Sequence, residues 1–237
     1  MFDAQDFAAR LTAREDRWPL LKGWGEAWCA SFHKSEGCFA IEIDRAENSL
    51  GVKLPSALRE LYSFGGHRLS KMNDLLIKIE DLEFVQNFLP FWAENQYVVT
   101  WGIRLNSLAL DDPPVCIDFS GCDASGRTPS APNRLALQNE TLSEFVLQKA
   151  VGDYMQWGPN CEDFRGEGEV AKLLQAYQPL GFPDWVHEHF ERGVGDVLVT
   201  KAFYGNEANL ALVTADSHAR ITSRDQERFL RHTTKGR

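Results

Sequence analysis

Between residues 41 and 66 the chain is punctuated so closely that one local fold is dictated. Asp44 reads as a helix N-cap, with Glu47 three residues on to complete a capping box. Leu50 follows, and Gly51 supplies the left-handed stop. Leu54-Pro55 then opens a second helix, placing Pro at a first position where its missing N–H costs nothing. Leu58, Leu61 and Tyr62 share one face at i, i+3 and i+4, and Gly65-Gly66 ends the run. The spacing predicts a short helix–turn–helix unit.

Downstream the periodicity changes to two. Leu75 to Ile79 reads as a strand, and the segment through Phe84, Val85, Phe88 and Leu89 as a connection with helical character. Tyr97 to Ile103 places Tyr97, Val99, Trp101 and Ile103 on one face. Asp111-Asp112-Pro113-Pro114 marks a turn, and Val115 to Phe119 alternates again. Residues 120–139, rich in Gly, Ser, Pro and Asn, read as a surface loop. Thr141 with Glu144 opens a helix through Phe145 and Tyr154 that Trp157-Gly158-Pro159 closes. Helices followed by closely spaced strands predict an α+β fold, with a mostly antiparallel central sheet flanked by helices.

The flanks follow the same logic. Met1 to Trp28 reads as a helix interrupted near Pro19 and Gly23–Gly25, with Trp18, Trp24 and Trp28 packing in a core in preference to forming an aromatic surface. Beyond residue 160, Glu169 to Tyr177 and Trp185 to Arg192 read as short helices. Val197 to Phe203 and Leu210 to Thr214 form a hairpin around Gly205-Asn206, and His218 to Thr222 a third strand. Ser223 with Gln226 caps a terminal helix whose Arg220, Arg224, Arg228 and Arg231 make a basic stripe, read as a solvated face. The expected division is a helical segment over 1–40, the α+β domain over 41–160 and a smaller C-terminal α+β extension over 161–237.

Composition limits the function. The net charge of −9 is concentrated between residues 41 and 219, and phosphate binding needs a cationic surface, so nucleic acid is not the expected partner. A basic protein suits such a field better. The opening stretch is broken by Asp3, Asp6, Arg10 and Arg14 and resembles no secretory signal, and no apolar run reaches membrane-spanning length. Five cysteines without a CxxC pair predict free thiols and a reducing, cytoplasmic setting, although Cys116 and Cys122 are close enough in sequence to be bridged.

No nucleophile elbow, phosphate-binding loop or HExxH helix occurs. His187 and His189, two apart on an expected helix, point in different directions and cannot share a metal. The expectation is therefore no metal, no cofactor and no catalytic residue. A hydrolase built on Glu94, Asp118 or Cys116 is the enzymatic alternative.

The order of features from Ile43 to Phe119 resembles a SUKH domain. It runs from the helix Ile43 to Leu50, through Val52-Lys53-Leu54-Pro55 and Leu58-Arg59-Glu60-Leu61-Tyr62, to the Gly-Gly turn. Phe91-Trp92-Ala93-Glu94-Asn95-Gln96 follows, then Val98 to Ile103 with Trp101-Gly102, then Asp112-Pro113-Pro114-Val115. The superfamily includes a fungal cell-wall-synthesis regulator and many bacterial immunity proteins. Residues 165–237 have no counterpart in it. The resemblance implies a non-enzymatic cytoplasmic immunity protein that neutralises a toxin domain with a basic surface. A regulatory scaffold or peptide-binding module without a toxin is the alternative. Turn and edge positions present side chains outward, which makes Trp92, Glu94, Asn95, Asp111 and Asp112 the candidate partner-binding residues.

Overall fold

The computed structural model describes residues 2–71, 75–95, 97, 99–118, 135–157, 160–191, 195–214 and 218–224, with side chains of Trp157 and residues 186–200 outside that description. The fold is α+β, with two antiparallel sheets and, among the described residues, six α-helices. The chain forms two compact units, residues 32–146 and residues 1–31 with 147–237.

In the unit of residues 32–146, α3 (Ala40–Leu50) and α4 (Ser56–Leu69) form the expected helix pair. Gly51 adopts φ +70°, as a glycine stop requires. The start of α3 differs from expectation. Phe39 and not Asp44 precedes the helix, and Glu42 Oε2 accepts the Phe39 N–H at 2.6 Å. The capping box lies about one turn earlier than the spacing predicts, because Asp44 and Glu47 hold a different job. Glu47 is buried, and its carboxylate takes the Lys53 ammonium at 2.6 Å, the Arg59 guanidinium and the Leu54 N–H at 3.0 Å. Asp44 adds a second acceptor for Arg59 at 3.2 Å. The inter-helix turn is thus tied by one carboxylate.

Gly65-Gly66 does not end α4. Gly65 leaves helical geometry, and the helix resumes to Leu69. The glycines serve close packing: a Cβ on Gly66 would lie 2.5 Å from Cys38 Sγ, and one on Gly37 1.8 Å from the Ser63 carbonyl oxygen.

The five-stranded sheet is a meander, β1 (Leu75–Leu76), β2 (Phe88–Ala93), β3 (Thr100–Arg104), β4 (Val115–Asp118) and β5 (Leu135–Asn139), in that order. The stretch around Phe88 is strand, not helix, because its ladder with β3 runs from Phe88↔Arg104 to Ala93↔Thr100. Residues 135–139, read as loop, pair with β4. The rest of that loop lies outside the described residues. A register shift between Pro90 and Trp92 interrupts strict alternation, so Phe91 and Trp92 both reach Phe145, with ring centroids 5.6 and 6.0 Å away. Trp101 closes on the same ring at 6.0 Å. Phe145 lies in α5 (Leu142–Trp157), which begins where the sequence places it.

In the other unit, α1 (Ala4–Leu11) and α2 (Arg14–Trp28) break at Thr12-Ala13 and not at Pro19. Pro19 sits inside α2, where its lost hydrogen bond is offset by a buried stripe of Leu20, Leu21, Trp24 and Trp28. Trp24 and Trp28 meet the Tyr154 ring at 5.6 and 5.9 Å, the core role expected of them. The second sheet comprises β6 (Cys161–Arg165), β7 (Gln178–Pro179), β8 (Trp185–Glu191), β9 (Gly195–Gly205), β10 (Asn209–Thr214) and β11 (His218–Ser223). Its order is β6-β11-β10-β9-β7, with β8 also on β9. The β9–β10 hairpin and the third strand fall where expected, as does one helix, α6 (Glu167–Leu174).

Of the expected helix Trp185 to Arg192, Trp185 to Glu191 is strand, and Arg192 lies outside the described residues. Seven residues pair from Trp185↔Lys201 to Glu191↔Gly195, and an isolated eight-residue helix cannot compete with a full ladder. The geometric argument against a shared metal at His187 and His189 therefore lapses; their side chains lie outside the described residues. So do Cys122 and the expected terminal helix beyond Arg224. Cys29, Cys38, Cys116 and Cys161 are outside any disulfide.

Burial alone would raise the Glu47 pKa, but the Lys53 and Arg59 bonds and the Leu54 N–H outweigh it and hold the carboxyl below its usual range. Its stabilisation is complete above the unfolded value of about 4.3 and drains as pH falls through the lower folded value. Glu47→Ala is expected to cost about 2–3 kcal/mol at neutral pH and to flatten the loss of stability below about pH 4, measured by urea denaturation across pH.

Candidate functional site

The five sequence-predicted residues divide among three jobs. Trp92 is 1% exposed and belongs to the core around Phe145. This corrects the expectation of an exposed anchor: the register shift beside it turns the indole inward, and it presents no surface to a partner.

Asp111 and Asp112 hold helices. The Asp111 carboxylate accepts the Ser56 hydroxyl at 2.8 Å, and its carbonyl accepts the Ala57 N–H at 2.8 Å, so it secures the first turn of α4. Asp112 accepts the Ser143 N–H at 2.9 Å and the Ser143 hydroxyl at 2.6 Å, capping α5 from 31 residues away. Asp111 is exposed and Asp112 half-buried, so Asp111 alone keeps a solvent-facing side chain.

Glu94 and Asn95 lie at the tip of the β2–β3 hairpin. Glu94 closes the hairpin through its N–H to the Val99 carbonyl at 2.9 Å, and its carbonyl accepts the Tyr97 N–H at 2.8 Å. Tyr97 is the residue that sequence reasoning missed. The alternation places it on one face of a strand with Val99, Trp101 and Ile103, but that strand begins only at Thr100. Instead it takes φ +58° and is 58% exposed. A non-glycine residue held there costs roughly 1–2 kcal/mol, and an aromatic ring offered to solvent gains nothing from folding. The turn residue Asn95 was the available signal that the strand had not yet begun.

A second group stands between the start of α3 and the C-terminal half of α4. Cys38 Sγ lies 4.0 Å from His67 Nδ1, and His67 Nε2 lies 3.4 Å from Glu42 Oε2. The Cys38 N–H donates to the Tyr62 carbonyl at 2.8 Å, next to the break at Gly65. Burial pushes the Cys38 thiol up to about 11, and the Glu42 and Glu80 carboxylates push in the same direction. Spacings of four and twenty-nine residues carry no recognisable pattern, so this group was not legible in the sequence.

Of the residues weighed for a hydrolase, Cys116 is buried on β4 and Glu94 lies at a hairpin tip. No helix among the described residues is long and apolar enough to cross a membrane. Compared with known proteins, the chain matches no family model and no curated sequence.

Two substitutions separate the core from the tip. Trp92→Ala is expected to destabilise by about 3–5 kcal/mol. Tyr97→Gly is expected to leave stability unchanged or raise it by up to about 1 kcal/mol, because glycine removes the backbone penalty. Asp112→Ala, which uncaps α5, falls between them at about 1–2 kcal/mol. Chemical denaturation of the three variants checks the order.

Proposed function

We propose that the chain is a non-enzymatic protein-binding domain, acting as a cytoplasmic immunity protein that binds and neutralises a toxin domain with a basic surface. The observation that carries the reading is the tip of the β2–β3 hairpin. There an exposed tyrosine is kept in an unfavourable backbone conformation beside Glu94 and Asn95. Strain of this kind persists where it serves a function, and an amphipathic ring with few rotatable bonds is a low-entropy anchor. Residues 32–146 carry 16 Asp and Glu against 10 Lys and Arg, a field that speeds encounter with a basic partner. Phe39, Ile41 and Leu110, also exposed in this unit, add apolar contact area.

The SUKH resemblance of Ile43 to Phe119 supports the immunity role over a scaffold, and the α+β meander is compatible with either. In this reading Glu94 and Asn95 form the polar rim around Tyr97, with Asp111 the one further acidic contact from the original set.

Affinity capture with the tagged chain, followed by titration of each captured protein, tests the proposal. The expected result is one dominant, salt-sensitive partner bearing a toxin-like domain. Tyr97→Gly should weaken that partner by about 2 kcal/mol or more, roughly thirtyfold, with stability intact. Several weak partners indifferent to Tyr97, and no protection of cells from any captured toxin, would move the assignment to a scaffold.

A further inference from the structure

We propose that Cys38, Glu42 and His67 form a three-ligand site for a soft divalent cation, zinc foremost, with a fourth position open to solvent. One potential ligand atom from each residue lies within 4.8 Å of the other two. In a tetrahedral zinc site with Zn–S of about 2.3 Å and Zn–N of about 2.0 Å, neighbouring ligand atoms stand about 3.3–3.5 Å apart. The imidazole–carboxylate separation is already 3.4 Å, and the sulfur–imidazole separation is 4.0 Å. A metal takes one ring nitrogen and these two distances run to different ones, so binding needs the imidazole to turn and the ligand atoms, now within 4.8 Å of one another, to close toward about 3.5 Å.

The surroundings are built for the sulfur. The absence of a side chain at Gly66 leaves the space that Sγ fills, and the Cys38 N–H is fixed on Tyr62. Glu42 is oriented by the Phe39 N–H, the kind of outer contact that aims a metal ligand. The Phe39 ring stands edge-on to the imidazole at 6.5 Å. Cys38 is 8% exposed, while Glu42 and His67 are half-buried, so the group opens to solvent on their side.

The same three residue types could serve as a nucleophile, base and orienting acid, and electrostatics decides between the readings. A catalytic cysteine needs an electropositive setting that favours the thiolate. Cys38 has the opposite beside it: the Glu42 carboxylate stands in the same cluster, within 4.8 Å of the sulfur. That field suits a cation, which supplies the positive charge the thiolate lacks. On binding, the thiol proton passes to solvent and a sulfur lone pair forms the metal bond, with no change in oxidation state. One sulfur, one imidazole and one carboxylate favour zinc over calcium or magnesium, which take oxygen.

Titration of the full chain with zinc chloride against a chromogenic chelator, and with cobalt chloride followed by absorption, tests the site. The expected result is one equivalent bound, with a thiolate-to-cobalt charge-transfer band. Cys38→Ser should abolish the band and weaken zinc by at least the roughly 10–100-fold that loss of an outer contact costs. Glu42→Gln, which keeps an acceptor for the Phe39 N–H, should weaken zinc without altering the circular dichroism, and it decides the matter if Cys38→Ser fails to fold. Affinity unchanged by Glu42→Gln, or a cobalt band lost with Cys29→Ser instead, overturns the proposal.

Discussion

Two consecutive aspartates hold the unit of residues 32–146 in register. Asp111 secures the first turn of α4 and Asp112 the first turn of α5, so one turn between β3 and β4 fixes two helices against the sheet. A helix start carries unsatisfied N–H groups and a partial positive charge, and carboxylates answer both. Without this turn the Phe145 ring would have no fixed place, and Phe91, Trp92 and Trp101 converge on that ring. Local capping therefore decides global packing. It also accounts for why acidic residues that looked like recognition groups are largely engaged within the fold.

Glu47 plays the matching part in the turn that leads from α3 into α4. A buried carboxylate is costly unless its partners are close and well aligned. Here Lys53, Arg59 and the Leu54 N–H all approach it within the turn between α3 and α4. Both devices use carboxylates as structural rivets, and together they remove several charges from the surface a partner would meet. What remains exposed and unexplained by folding is therefore more informative than the acidic total.

Much of this was legible where the signal is local. Gly51, the apolar face Leu58–Leu61–Tyr62, the β9–β10 hairpin and the start of α5 all follow from spacing and turn chemistry. Signals that depend on distant partners misled. Glu47 looks like a capping residue until Lys53 and Arg59 are seen around it, and Trp185 to Glu191 looks helical until β9 pairs with it. Trp92 fails for a subtler reason. Its exposure depends on a one-residue register shift, and such a shift reverses every side chain beyond it without leaving a mark in composition. The Cys38–Glu42–His67 group was invisible because residues far apart in the chain meet only through the packing of α3 on α4.

The two candidate sites answer one electrostatic condition in different ways. An excess of carboxylates raises the rate at which a basic partner arrives, but charge alone gives little affinity once the surface is screened. An anchor that excludes water is required as well, and in the proposed reading the exposed Tyr97 ring would supply it. Inside the fold the same excess acts at short range. Burial first, and then the Glu42 and Glu80 carboxylates, push the Cys38 thiol up to about 11, so a cation entering the proposed site would have to supply the positive charge that a thiolate there lacks. Surface recognition and metal capture would then draw on one charge imbalance at two distances. The first is weakened by salt through screening and the second by acid through protonation of the ligands, so ionic strength and pH separate them.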